Sequence, residues 1–382
     1  MEERCFPAIE IRRPVLRWIV ILFVFLELIL PLHSETRITV AQLEQYLHSK
    51  EASKQPDARI ADTLGAAELT EQMTESALRR IRSETKLGPL SSEQLDLLAA
   101  SSIFNAPPAG ELPASPAPDA TTQQQIIDSA RDYVSSALHN LPDFLALRIT
   151  RKFDDAPELT NSKHPKQTIQ LHFIGESRRS VGFSSGREVA DPGAADSGIS
   201  EFQEPALSGL STSGEYGPIL KVVLSDSFQG TVVWSRWQKS ATGVLLAVFH
   251  YSVPRLASHN LIDLCCYQKS KFDADLLTFR DTPGYHGEIY IDPSTGIIDR
   301  ITVEAELRET DPVLASGIAV QYGQVDIGGR KYTCPTRGVA VSVVRNFQME
   351  SIDGVGREKH INEVSFLNYH KFVSTARILS PE

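Results

Sequence analysis

The sequence predicts an α+β fold: a large, curved antiparallel sheet of half-barrel type with one packed helix, preceded by a small helical segment. Three observations carry this. First, Tyr285–Leu307 reads as a hairpin, with Ile289 and Ile291 alternating before Asp292-Pro293-Ser294-Thr295-Gly296 and Ile297, Ile301, Val303, Ala305 and Leu307 alternating after it. Proline presets φ, aspartate bonds its own backbone and glycine takes the positive φ that closes the turn. Second, residues 123–141 (QQQIIDSARDYVSSALHNL) place Ile126, Ile127, Ala130, Tyr133, Val134, Ala137, Leu138 and Leu141 at helical steps. Third, short period-two runs follow one another at tight-turn spacing, the connectivity of a meander.

At the N-terminus, Arg4, Arg12, Arg13 and Arg17 precede the apolar run Trp18–Leu32, a basic region followed by a run of signal length. Glu27 interrupts the run, which is short for a bilayer crossing. Residues 1–34 are therefore expected to be an export signal cleaved after Leu32-His33-Ser34, or else an uncleaved membrane anchor, and the location expected is periplasmic or extracellular. Residues 35–104 read as short helices. Thr39-Val40-Ala41-Gln42 and Ser91-Ser92-Glu93-Gln94 are capping boxes, and Ile60, Ala61, Leu64, Met73, Leu78 and Ile81 supply apolar stripes between them. Residues 105–121 are rich in proline and alanine and read as a linker. The antiparallel β domain then occupies 122–382, its first helix capped by Thr121 or Thr122.

Strands are expected at Phe144–Phe153, Thr168–Phe173, Lys221–Leu224, Gly230–Arg236, Gly243–Val253, His259–Cys266, Gly317–Tyr322, Gln324–Ile327, Lys331–Cys334, Val339–Val344 and Ile361–Leu379. Ile327-Gly328-Gly329-Arg330 marks a two-residue hairpin. The polar interval Gly175–Gly217 lacks periodicity and reads as a loop or lid.

The formal net charge of the 382 residues is −10 with the signs mixed, which argues against nucleic acid and against tight binding to anionic lipid surfaces. Beyond the signal the cysteines are Cys265, Cys266 and Cys334. In an oxidising compartment one of the vicinal pair is expected to bridge to Cys334, closing a loop of about 70 residues that stabilises by roughly 4 kcal/mol. A ring between the vicinal cysteines themselves ranks lower because it strains the backbone. Zinc-ligand spacing is lacking, so neither a metal nor a cofactor is expected.

Catalytic patterns are weak. His250, His259, His286, His360 and His370 are scattered, and a lone histidine in a strand is usually structural. His286 beside Glu288 and Asp292 could form an acid/base cluster, although ordinary strand polarity explains the spacing. Gly182-Phe183-Ser184-Ser185-Gly186 satisfies a nucleophile-elbow pattern without the strand-then-helix context that the elbow needs. No catalytic residue is therefore assigned, and a hydrolase is the reading of last resort. Trp234, Trp237, Phe249 and Tyr251 put aromatic side chains on a sheet face. They read either as core against the helix or as the lining of an apolar groove for a lipid or other hydrophobic ligand.

The run PGYHGEIYIDPSTGIIDRITVEAEL, with VQYGQVDIGGRKYTCPTR, Cys265-Cys266, TVAQLEQYL and LPDFLALRITRKFDD, resembles a bacterial family of large exported proteins without an assigned activity. The helix-then-meander plan is similar, more remotely, to periplasmic lipoprotein carriers and to lipid-sensing regulators of envelope stress with a half-barrel. The resemblance implies no catalytic residues. The expectation is thus a non-enzymatic exported protein that binds a lipid or hydrophobic ligand, with an envelope protein-interaction module as the alternative.

Overall fold

The computed structural model describes residues 36–155, 170–184, 187–190, 218–267, 277–345 and 356–371. The basic and apolar N-terminal segment and residues 191–217 of the polar interval lie outside these. Among the described residues no helix is long and apolar enough to cross a membrane.

Local signals shape the helical segment. Thr39 caps α1 (Val40–Leu47) with both halves of a capping box, its hydroxyl accepting from Gln42 N while the Gln42 side chain accepts from Thr39 N. Two short strands, β1 (Thr36–Ile38) and β2 (Ala67–Leu69), pair beside α2 (Asp57–Gly65). Thr74 caps α3 (Glu75–Glu84), its hydroxyl accepting from Ala77 N. The second expected capping box does not form. α4 (Pro89–Ser101) starts three residues earlier, with proline in its first turn, and its free N–H groups are met from outside. The Asp57 carboxylate accepts from Leu90 N at 3.0 Å and Ser91 N at 3.1 Å. Val40, Leu43, Leu64, Ile81 and Leu95 close a core among these helices.

Residues 105–119 are held at several points. Ala106 O accepts from Gln72 N, Glu111 accepts from Thr74 and Ser76, and Pro116 O accepts from Trp237 Nε1 at 2.8 Å. The stretch is a strap that leads from the helical segment to α5 (Ala120–Asn140). Asp119 caps α5, accepting from Thr122 N at 2.8 Å, where Thr121 or Thr122 was expected to do so.

The main sheet has ten strands: β3 (Phe144–Asp154), β4 (His172–Ser184), β5 (Arg187–Ala190), β6 (Thr231–Lys239), β7 (Leu245–Val253), β10 (Tyr285–Ile291), β11 (Ile298–Ala305), β12 (Val313–Ile327), β13 (Arg330–Arg345) and β14 (Arg357–Lys371). A separate pair, β8 (Ile262–Tyr267) and β9 (Leu277–Asp281), is antiparallel. The order in the large sheet is β5-β4-β3-β14-β13-β12-β11-β10-β7-β6, every pairing is antiparallel, and the two ends do not meet. The α+β class with a large open antiparallel sheet is as the sequence predicts.

The two hairpin turns form as expected. Ser294 N donates to Asp292 Oδ1, Gly296 N to Asp292 O, and Gly296 takes φ 73°. Gly328 and Gly329 both take positive φ between Ile327 and Arg330, which pair. A bulge after Tyr290 shifts the register, so Ile298, not Ile297, joins Ile291 in the core.

Strand parity assigns each face. On one face Ile289, Ile291, Ile298, Ile301, Val320 and Tyr322 pack against Ile126, Ala130 and Val134 of α5. They also pack against Leu220, Val223 and Leu224 of α6 (Pro218–Asp226). That helix replaces the strand expected at Lys221–Leu224: its apolar residues sit at helical steps against the same core, and tertiary packing overrides their β-branched propensity. The opposite face carries the helical segment. Leu97 and Ala100 of α4 pack on Phe153, Val339 and Ile361, and the Phe104 ring sits where Gly317 leaves room, 2.8 Å from the place a Cβ would occupy. The sheet is therefore a middle layer with helices on both sides.

Three more expectations change. β4 and β5 enter the polar interval that was read as loop, β9 was not anticipated, and four short runs at 317–344 fuse into the long strands β12 and β13. Cys334 is a free thiol, buried at 1% exposure beside Phe144, Phe183 and Phe366, so the expected bridge to it is not made. The geometry explains why. Leu264, next to the vicinal cysteines, packs on Val344, ten residues along β13 from Cys334. That separation is about 33 Å of strand, and a disulfide needs Cα atoms within about 7 Å. The side chains of Cys265 and Cys266 lie outside the described residues.

Two outcomes follow from this packing. Burial pushes the Cys334 thiol up to about 12, so alkylation mapped by mass spectrometry should spare Cys334 in the native protein and label it in denaturant. Leu97→Ala empties a site at 1% exposure between helix and sheet and should cost about 2–5 kcal/mol in urea melts.

Candidate functional site

A single cross-strand row forms the floor of a cleft between the sheet and the helical segment. Successive paired residues run Tyr290, Arg300, Gln321, Arg337, Ser365 and Ile149, from β10 through β11, β12, β13 and β14 to β3. This is the face opposite α5. Residues in such a row stand about 5 Å apart, so Arg300 and Arg337 flank Gln321 at roughly 10 Å. The roof comes from α3 (Glu75, Arg79, Arg82), α4 (Asp96, Ala99, Ala100), Ile103, Pro107 and Glu111 of the strap, and the β6–β7 turn at Ser240–Gly243. The cleft volume is about 580 Å³.

Most charges in the cleft are matched. Arg82 pairs with Asp96, and Arg337 lies 2.9 Å from Glu363 and 3.9 Å from Glu75. Arg151 lies 2.8 Å from Glu93 and 3.4 Å from Glu363. Arg79 donates to Glu75 O and to Ala241 O. These pairs also rivet α3 and α4 to the sheet. Burial pushes Asp96 up, opposed by its Arg82 partner, and burial likewise pushes Asp299 up.

Arg300 differs. Its guanidinium stacks on the Tyr290 ring at 3.9 Å from the centroid. Its Nε is buried with no hydrogen-bond partner, and it forms no salt bridge among the described residues. Tyr290 is itself fixed from the other side, its hydroxyl donating to Glu288 Oε2 at 2.6 Å and accepting from Arg236 at 3.1 Å. Arg236 holds Glu288 in a two-pronged pair that is mostly buried. Burial alone would raise Glu288, but the Arg236 and Tyr290 hydrogen bonds outweigh it and keep the carboxyl below its usual range. The platform beneath Arg300 is therefore locked by charge-assisted bonds.

The residues singled out from sequence fall elsewhere. Phe249 and Tyr251 are 1% and 0% exposed, inside the core under α5 and α6. Trp234 makes edge contacts with Phe249 and Trp237 at 5.4 and 4.9 Å, and Trp237 donates to Pro116 O of the strap. Among the described residues this face packs into one core cluster with α5 and α6, with Trp234 and Trp237 partly buried at its margin. His286 lies near Glu306 at 3.7 Å, Glu288 is committed to Arg236, and Asp292 caps its own turn, so these three do not form a cluster. Ser184 ends β4 and donates to Asp143 at 2.9 Å, and β5 follows it instead of a helix. His259 is paired with the buried Asp226, which also accepts from Tyr285. Metal donors gather instead at Asp154, Glu358 and His360.

The sequence reading missed Arg300 and Arg337. Each is one outward-facing charge in an alternating strand, and only the register that aligns four strands, with a second layer above them, distinguishes it from ordinary surface. No family model matches the chain, and neither a curated protein nor a solved structure matches it.

Beyond the cleft, Glu304 offers a pH test. Burial, reinforced by the Glu288 charge, raises it from 4.5 to about 7. The folded protein thus binds its proton more tightly than the unfolded chain does. Its stabilising contribution is complete below pH 4.5 and declines as pH rises towards about 7. Urea melts across that window should show a smaller decline in Glu304→Gln than in the parent.

Proposed function

We propose that the chain is a non-enzymatic binding protein that takes a small polar anion, a carboxylate or phosphate compound, into the cleft between α3–α4 and the sheet. Arg300 is the observation that carries this reading. A guanidinium stacked on an aromatic ring, with a buried Nε lacking a partner, is a preset donor for a planar or tetrahedral oxyanion. About 580 Å³ falls within the usual range for small-molecule sites. Gln321 supplies neutral hydrogen bonds beside Arg300, and Arg337 supplies a second charge across the floor. The carboxylates of Glu75, Asp96 and Glu363 around the rim suit a solute that also bears hydroxyl or amino groups.

Export through the N-terminal basic and apolar segment belongs to the same proposal and makes the setting periplasmic or extracellular. The hydrophobic-ligand expectation rested on the aromatic face, and the complete burial of Phe249 and Tyr251 supports a packed core there. The polar cleft is the better supported binding site.

Titration with phosphate, citrate and sugar phosphates, followed by thermal unfolding and calorimetry against salt of matched ionic strength, tests this. One of these anions should stabilise saturably. Arg300→Gln should weaken that binding roughly 10- to 100-fold, as expected for loss of one charge-assisted contact of about 1.5–3 kcal/mol. The reading fails if no anion acts beyond ionic strength, or if the variant binds as well as the parent.

A further inference from the structure

We propose that Asp154, Glu358 and His360 form a binding site for a divalent first-row transition-metal ion, joining β3 to β14 and separate from the anion cleft. Asp154 and His360 are directly paired across the two strands, and Glu358 stands two residues before His360 on the same face. One ligating atom from each lies within 4.8 Å of the others. An ion with bonds of about 2.0–2.2 Å holds its donors about 3–4 Å apart, so small side-chain rotations complete the site.

His360 provides the independent observation. It is 2% exposed, and neither ring nitrogen has a hydrogen-bond partner. Its Nε2 lies 3.2 Å from Glu358 Oε1 but not in hydrogen-bonding geometry. A buried imidazole with both nitrogens unsatisfied is costly and uncommon. Aimed at two carboxylates, its lone pair is positioned for a cation. On the other flank, His172 of β4 pairs in register with Asp154 and places Nε2 3.2 Å from Asp154 Oδ1. That contact orients the carboxylate, the arrangement that supports metal-bound ligands elsewhere.

The donor set selects the class of ion. Imidazole nitrogen suits zinc, iron, nickel and copper, while carboxylates extend the range to manganese. Calcium wants six to eight oxygens and is disfavoured. Bound metal would fasten β4, β3 and β14 together and leave coordination positions for solvent.

The full chain, stripped with chelator and carrying no affinity tag, is titrated with Zn²⁺ and with Mn²⁺ by calorimetry while thermal unfolding is followed. The expected result is one ion per chain with a saturable rise in Tm. The double variant Asp154→Asn, Glu358→Gln should lose it, and His172→Gln should bind the same number of ions about 10- to 100-fold more weakly. Absence of saturable binding in the parent, or unchanged affinity in the folded double variant, overturns the proposal. Should the double variant not fold, Cu²⁺ bound to the parent decides by electron spin-echo modulation. One directly coordinated imidazole supports the site, and none rejects it.

Discussion

A ten-stranded open sheet with apolar side chains on both faces cannot stand in water, and covering both faces is the requirement that organises this protein. The pleat sends Ile289, Ile291, Ile301 and Val320 to one side and Val248, Tyr290, Val339 and Ile361 to the other. α5 and α6 seal the first side. On the second side the helical segment seals only part, packing on β3, β13 and β14 and, through Phe104, on one end of β12. Around the row that carries Arg300, Gln321 and Arg337 it stands off, and there the sheet changes character and presents polar side chains. The cleft is thus the uncovered remainder of a two-sided burial problem, and its polar lining is what solvent in that gap demands.

Much of this was legible from single residues. The Asp292–Gly296 and Gly328-Gly329 turns, the α5 stripe and the Thr39 capping box act within a few residues, so their chemistry can be read locally. The failures share a cause: information arriving from far along the chain. α6 was read as a strand because Val222 and Val223 favour β structure, and only the core it joins makes the helix pay. The cap of α4 comes from Asp57, more than thirty residues away. Cys334 and the vicinal cysteines were joined on compartment logic, and strand distance then separated them.

The site was less legible than the fold. The aromatic residues drew attention as the largest apolar side chains on a strand, and large apolar side chains are what a core consumes. Arg300 gave no signal because its meaning depends on its surroundings, where no carboxylate among the described residues lies at pairing distance. His360 is similar: a histidine within a strand is ordinarily bland, and its burial without hydrogen bonds sets it apart. In both cases function is proposed from an unmet valence, which a sequence does not display.

The strap has a kinetic consequence. It meets edge strand β6 across 121 residues at Pro116 and Trp237, and other contacts reach further: Gln72 meets Gln238 across 166 residues, Tyr133 meets Thr333 across 200 and Arg151 meets Glu363 across 212. Such high contact order means slow folding. During translation the helical segment, which has a core of its own, emerges before the sheet on which its outer face docks.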